Sequence, residues 1–132
     1  MKRSNLFFMR GIVLSILFLM LSGCSHSAPK ETTPPAEPMG SYSGSARASY
    51  YGYGGLVYVT ITIENGFITG VDIEDEHETE GIGKVVIANA PDIIVRRNSP
   101  EIDVMSNATY TSTAVREAAR LAIQAIKDAT GN

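Results

Sequence analysis

One cysteine, two histidines and no tryptophan in 132 residues leave several common chemistries without their usual ligands. A single thiol builds no disulfide framework and no Cys-based zinc or iron–sulfur site. Two histidines are poor provision for haem or a His-rich metal centre. Positive charge is also scarce. Three of the eleven cations, Lys2, Arg3 and Arg10, fall in the first ten residues, so the rest of the chain carries eight against fourteen carboxylates. So acidic a chain lacks the electrostatic footprint of a nucleic-acid binder and argues against that class. Beyond residue 23 no apolar run approaches the roughly 20 residues that a membrane-crossing helix needs, which argues against an intramembrane pump. No dinucleotide-binding glycine fingerprint occurs either.

What is present begins with a leader. Lys2, Arg3 and Arg10 precede a nearly unbroken apolar run, Gly11–Leu21, and small residues follow. Charged, apolar and small regions in that order have the layout of an export signal, expected to cover residues 1–23. Leu21-Ser22-Gly23-Cys24 resembles the bacterial lipobox, in which the cysteine thiol is diacylglycerylated and the chain is cut just before it. The alternative is an ordinary secretory signal with an incidental cysteine. A lipidated Cys24 would place the protein at the extracytoplasmic face of the cell membrane, since two or more acyl chains anchor firmly. Ser25–Gly40 carries four prolines and few apolar side chains, the composition of a flexible tether. His26 lies within it as a solvated linker residue. The folded domain is expected over residues 41–132.

Within that domain, Ser41–Tyr53 is strand-like with glycines interspersed, and Gly54-Gly55 signals a turn. Leu56–Glu64 alternates strictly, with Val57, Val59, Ile61 and Ile63 on one face, which predicts a half-buried strand. Asn65-Gly66 is the preferred dipeptide of a tight hairpin, because both central residues take positive φ. Phe67–Glu74 returns as the partner strand, with Phe67, Val71 and Ile73 expected inward. After an acidic loop, Asp75–Gly83, the chain predicts a short helix over Lys84–Ala90 and a second one opened by Pro91 and ended by Arg96-Arg97-Asn98. A brief strand is expected at Ile102–Met105 and an amphipathic helix at Ala114–Ala129, stopped by Gly131. The fold class is therefore α+β, an antiparallel sheet opening as a meander and packed against helices.

The stretch richest in chemistry is Asp103–Ser112. Five Ser and Thr hydroxyls, Ser106, Thr109, Thr111, Ser112 and Thr113, crowd into eight residues before the last helix. Helix N-termini expose unpaired N–H groups and partial positive charge, which suit a phosphate. The plainer alternative is an N-cap, with Ser112 or Thr113 satisfying the first turn. The acidic loop offers Asp72, Glu74, Asp75, Glu76, Glu78 and Glu80, but their spacing lacks the alternating ligands and glycine of a calcium loop, so a solvated acidic edge is expected and no metal site is assigned. His77 reads as a solvated loop residue. Tyr50, Tyr51, Tyr53 and Tyr110 are available for stacking on an aromatic ligand, though most strand tyrosines only pack.

Asp103-Val104-Met105-Ser106-Asn107-Ala108-Thr109-Tyr110-Thr111-Ser112 resembles the Asp-x-x-Ser-Gly-Ala-Thr-x-Thr-Ser motif of the FMN-binding domain family. Its members include subunits of the sodium-pumping NADH:quinone reductase and extracytoplasmic flavin lipoproteins. The likeness runs from about Tyr42 to Lys127 and includes Glu78-Thr79-Glu80-Gly81-Ile82-Gly83, similar to the family's Glu-Thr-x-Gly-x-Gly loop. This resemblance implies FMN joined through its phosphate to Thr109 by a flavin transferase that uses FAD and Mg. It further implies that Ser106, Asn107, Ala108, Tyr110, Thr111 and Ser112 surround the attachment point, that Glu78, Thr79, Gly81, Ile82 and Gly83 lie against the isoalloxazine ring, and that Asp103 serves transferase recognition. Asn107 stands where the family has Gly and Glu80 where it usually has Pro. Asn best tolerates a left-handed backbone among non-glycine residues, so the bend is expected to survive.

The function implied is a membrane-anchored electron-transfer flavoprotein, a carrier or complex subunit more than a stand-alone enzyme. It would exchange electrons with redox partner proteins or small shuttles. Its rivals are a non-covalent FMN-binding module and a flavin-free structural lipoprotein.

Overall fold

A computed structural model describes residues 35–131 of the chain. Its strands are β1 (Gly44–Tyr51), β2 (Leu56–Glu64) and β3 (Phe67–Asp75), and its helices are α1 (Gly83–Arg97) and α2 (Thr109–Thr130). The strands form one antiparallel meander in the order β1-β2-β3. The alternation of β2 is realised in full: Val57, Val59, Ile61 and Ile63 are buried, and Tyr58, Thr60 and Thr62 are half-buried between them. Each inward β-branched side chain contributes about 1.5–3 kcal/mol by burial. On the outward face Arg47 of β1 lies 4.7 Å from the ring centroid of Tyr58 on β2 and donates to Glu74 of β3. One polar chain of contacts thus crosses the three strands.

The hairpin at Asn65-Gly66 has the expected positive φ at both residues, 51° and 79°. The strand after it departs from expectation. A bulge lies opposite Thr62/Ile63, with Thr62 paired to Gly70 and Ile63 to Ile68, so Thr69 is inserted. The insertion reverses the phase of alternation, and Ile68 is buried while Phe67 turns outward. Val71 and Ile73 remain inward, opposite Ile61 and Val59.

The helices also differ from the sequence expectation. Residues 83–97 form one helix with Pro91 inside it, in place of two. Proline removes one helical hydrogen bond and crowds the preceding turn. The stripe Val86, Ala90 and Ile94 lies buried on both sides of it, and packing against β3 and α2 holds the two halves in line. Residues 102–105 form no strand; Ile102 is buried as an anchor of an irregular loop. The last helix starts at Thr109, five residues earlier than the apolar stripe alone suggested, because the first turn is fixed by tertiary bonds. Ala114, Ala118, Ala119 and Ala122 are fully buried, and these small side chains let α2 lie close on β1 and β2.

Asn98 ends α1 in the left-handed conformation, φ 49°. From there its side chain accepts from the Ile68 N–H (2.7 Å) and donates to the carbonyls of Gly66 (3.0 Å) and Glu37 (2.7 Å). Met39 N–H donates to the Gly66 carbonyl. The end of the segment expected to be tether is therefore bonded to the domain around 37–39. Cys24 and the rest of the leader and tether lie outside the described residues. No described helix is long and apolar enough to cross a membrane.

Candidate functional site

The site forms where three connections meet. The β1–β2 turn closes through the Gly52 N–H donating to the Gly55 carbonyl (2.8 Å). The β3–α1 loop starts from Asp75, whose Oδ1 accepts from the Glu78 N–H and from Lys84 Nζ, both at 2.9 Å. Thr79 then closes the loop, its carbonyl accepting from the N–H groups of Ile82 (3.3 Å) and Lys84 (3.1 Å), with Gly81 at φ +72° between them. The loop before α2 is tied to the helices by Arg97, which donates to the Glu101 carbonyl and to Asp103, and by Arg120, which bonds Glu101.

Burial would raise the Asp75 carboxyl, but the hydrogen bonds from Lys84 and the Glu78 N–H outweigh it and hold it below the ordinary carboxylate value. Lys84 is raised in turn, chiefly by its hydrogen bond to Asp75.

Glu78 turns inward from this acidic loop, 5% exposed. Its Oε1 accepts from the N–H groups of Tyr53 (2.9 Å) and Gly54 (3.3 Å), and its Oε2 from Thr111 Oγ1 (2.6 Å). Ser112 is buried too: its Oγ donates to the Ala108 carbonyl (2.8 Å) and accepts from the Met105 N–H (3.2 Å). Neither Ser112 nor Thr113 caps the helix as an N-cap. That position belongs to Ala108, and no side chain caps it. Ile82, at the N-cap of α1, is likewise without a side-chain cap. Two helix N-termini without side-chain caps therefore open on the same region.

Between them lies a cleft of about 300 Å³ lined by Tyr53, Glu78, Thr79, Ile82, Gly83, Asn107, Ala108, Tyr110 and Thr111. Tyr53 and Tyr110 stand at its mouth, ring centroids 6.4 Å apart and planes inclined by 44°. Both are well exposed, as is Ile82. The cleft thus joins the two sequence segments singled out above, Glu78–Gly83 and Asp103–Ser112.

Thr109 is the first residue of α2 and is exposed beside the cleft lining. Asn107 takes the left-handed conformation at φ 68°, as expected for the position where the similar motif has Gly. Ser106 is exposed in the same turn, and Gly81 is exposed in the opposite loop. Thr111 and Ser112 do not face the solvent as free hydroxyls; they hold the loop and helix together. Buried and bonded, each hydroxyl costs more to remove than an exposed helix cap would. Asp103 stands apart from the cleft, its side chain 87% exposed and paired with Arg97 at 3.1 Å. His77 is exposed, as expected. Among the described residues no cluster of His, Cys, Asp and Glu could hold a metal ion.

Sequence reasoning weighed Tyr53 only as one of four tyrosines; its place in the lining follows from the Gly52–Gly55 turn and the Glu78 bond. The bond between Glu78 and Thr111 left no mark in the sequence, since 33 residues separate them. Both the Glu78–Gly83 loop and the Asp103–Ser112 run lie within the stretch that a known family model matches. The family model of the FMN-binding domain matches residues 52–124, more than half of the chain, and the chain belongs to that family of flavin-binding proteins.

Proposed function

We propose that this protein carries FMN in phosphoester linkage on Thr109 and works as an electron carrier, held at the extracytoplasmic face of the membrane by a lipidated Cys24. The observation that carries the reading is the division of labour among the hydroxyls of the motif. Thr111 and Ser112 are buried and engaged, while Thr109 is exposed at an uncapped helix start beside the cleft. A transferase can reach only an exposed hydroxyl, and a phosphate joined there lies at the positive end of α2.

The residues fit the group. A cleft of about 300 Å³ is at the small end of ligand sites, suited to a ring system whose phosphate stays outside. The paired tyrosines offer aromatic faces at its mouth, and the uncapped N–H groups of α1 and α2 offer donors to carbonyl and phosphate oxygens. When bound, FMN supplies the one- and two-electron chemistry. The chain's own residues bind it, orient it and shield one side of it from water.

Attachment balances as a group transfer. The Thr109 hydroxyl oxygen forms a bond to the FMN phosphorus of FAD, the pyrophosphate bond breaks, AMP leaves, and the hydroxyl proton passes to a base of the Mg-dependent transferase. Asp103, exposed and tied to Arg97, is the residue we assign to recognition by that enzyme. The lipid anchor is supported by the Leu-Ser-Gly-Cys sequence at 21–24. Redox partner proteins or small shuttles are the expected donors and acceptors, and the acidic surface favours cationic ones.

The test is intact mass and in-gel flavin fluorescence on protein made with the transferase. Wild type should gain the mass of FMN less water, Thr109→Ala none of it, and Thr109→Ser part of it. Fluorescence that survives denaturation in Thr109→Ala would exclude this residue. Flavin that is bound but lost on denaturation of wild type would make the protein a non-covalent binder.

A further inference from the structure

Three separate parts of the fold hydrogen-bond to Glu78. The β1–β2 turn reaches it through two N–H groups, the end of β3 through Asp75, and α2 through Thr111. The chain around it is shaped to admit its carboxylate. A Cβ added at Gly83 would lie 2.5 Å from Glu78 Oε2 and 3.1 Å from Thr111 Oγ1, and one added at Gly52 would overlap Oε1. The glycine at 83, which the family resemblance places against the ring, is thus also demanded by the protein's own bond.

We propose that Glu78 is the positioning residue of the attachment site: its bond to Thr111 sets the rotation of the first turn of α2 and so presents Thr109, while its bonds to Tyr53 and Gly54 hold the opposite wall of the cleft in place. Helical geometry makes the link between the two threonines strict. Two residues along a helix are separated by about 200° of rotation, so fixing Thr111 inward turns Thr109 outward. The link matters because α2 begins without a side-chain cap, and an uncapped start frays. The Thr111–Glu78 bond does from across the cleft what a local cap would do from within the helix. Asp75 backs the clamp, fixing the Glu78 N–H while Lys84 holds Asp75.

The proposal rests on Thr109 as the attachment residue, and its test is chosen to fail separately from that reading. Amide hydrogen exchange is measured on the exported, processed protein made without transferase, so no flavin is involved. The rate of FMN transfer from FAD is then measured with purified transferase and Mg. In Thr111→Val and Glu78→Ala, exchange at the Ser112 and Thr113 amides should quicken by about tenfold or more while the β2 amides keep their protection. Transfer to Thr109 should slow by a similar factor of about ten. Thr111→Ser keeps the hydroxyl, and Glu78→Gln keeps the shape, its amide nitrogen donating to Thr111 Oγ1 while its oxygen still accepts from Tyr53 and Gly54. Both should stay within about threefold of wild type in both measurements.

Unchanged exchange in Thr111→Val would overturn the clamp. So would a Glu78→Gln variant as defective as Glu78→Ala beside a normal Thr111→Ser, since charge and not position would then be at work. If Glu78→Ala does not fold, the Thr111→Val and Thr111→Ser pair decides. A wild type that takes no flavin at Thr109 would sink the proposed function, and the exchange measurements would still decide the clamp.

Discussion

Removing one hydroxyl from either threonine of the Thr-Tyr-Thr sequence should have opposite consequences. Thr109 is exposed and caps nothing, so Thr109→Ala should change folding stability by no more than about 0.5 kcal/mol, the usual range for a surface substitution. Thr111 is 2% exposed and donates at 2.6 Å to a carboxylate that is itself 5% exposed. Thr111→Val keeps the volume and removes the donor, leaving Oε2 without its partner. A hydrogen bond to a carboxylate contributes about 1.5–3 kcal/mol, and an unpaired buried acceptor costs toward the upper end of that range. We expect about 2–3 kcal/mol, several times the effect at Thr109. Thr111→Ala should cost about 1 kcal/mol more, because a small void replaces the methyl group. Urea denaturation followed by far-ultraviolet circular dichroism, on protein free of flavin, measures both. If Thr111→Val and Thr109→Ala proved equally stable, the buried bond would not hold the helix start, and the separation of anchoring from attachment would be wrong.

Asn98→Ala strips the Ile68 N–H of its acceptor and puts alanine at φ 49°, together about 3–5 kcal/mol, whereas Asn98→Gly relieves the backbone and should cost about 1 kcal/mol less; thermal denaturation of the two variants checks the order. Asn107→Gly should leave flavin attachment at or above the wild-type level, because φ 68° costs glycine nothing, while Asn107→Ala should lose about 1 kcal/mol of stability and some attachment, read by intact mass. Asp75 is held below its unfolded value, so its contribution is present above about pH 4 and is lost as pH falls through the lower folded value. Lys84 is raised, so its share persists below about pH 10.4 and is lost as pH rises through the higher folded value. The gap in urea midpoint between wild type and Asp75→Asn should therefore hold across neutral pH and narrow below about pH 4. Cys24→Ala should abolish acyl labelling of the protein; unchanged labelling would remove the anchor.

Much of the fold was legible because it depends on short-range rules. Strict alternation over Leu56–Glu64 and the Asn-Gly turn define β2 and its hairpin with no tertiary information. The Ala-rich stripe of the last helix is similarly local. The errors came where distant contacts override local preference. Pro91 should end a helix, and packing of Val86, Ala90 and Ile94 carries the helix through it. Phe67 should face inward, and the bulge opposite Thr62/Ile63 turns it outward and buries Ile68 in its place. Glu37 and Met39 lie in a proline-rich segment, yet Asn98 and Gly66 offer hydrogen bonds that hold them.

By itself, the sequence determined the family of this protein, the position of each hydroxyl along the chain, the hairpin and the apolar faces of β2 and α2. Those are properties of residue type and spacing, readable along one dimension. Only the tertiary structure decided which hydroxyl is free and which are engaged. Thr109 and Thr111 are equivalent as letters and differ as surfaces, because a carboxylate 33 residues away from Thr111 lies on one side of the helix and open solvent on the other. Hydrogen bonds between distant segments leave no periodicity in the chain; they exist only once the strands and helices have packed and brought donor and acceptor within about 3 Å of each other.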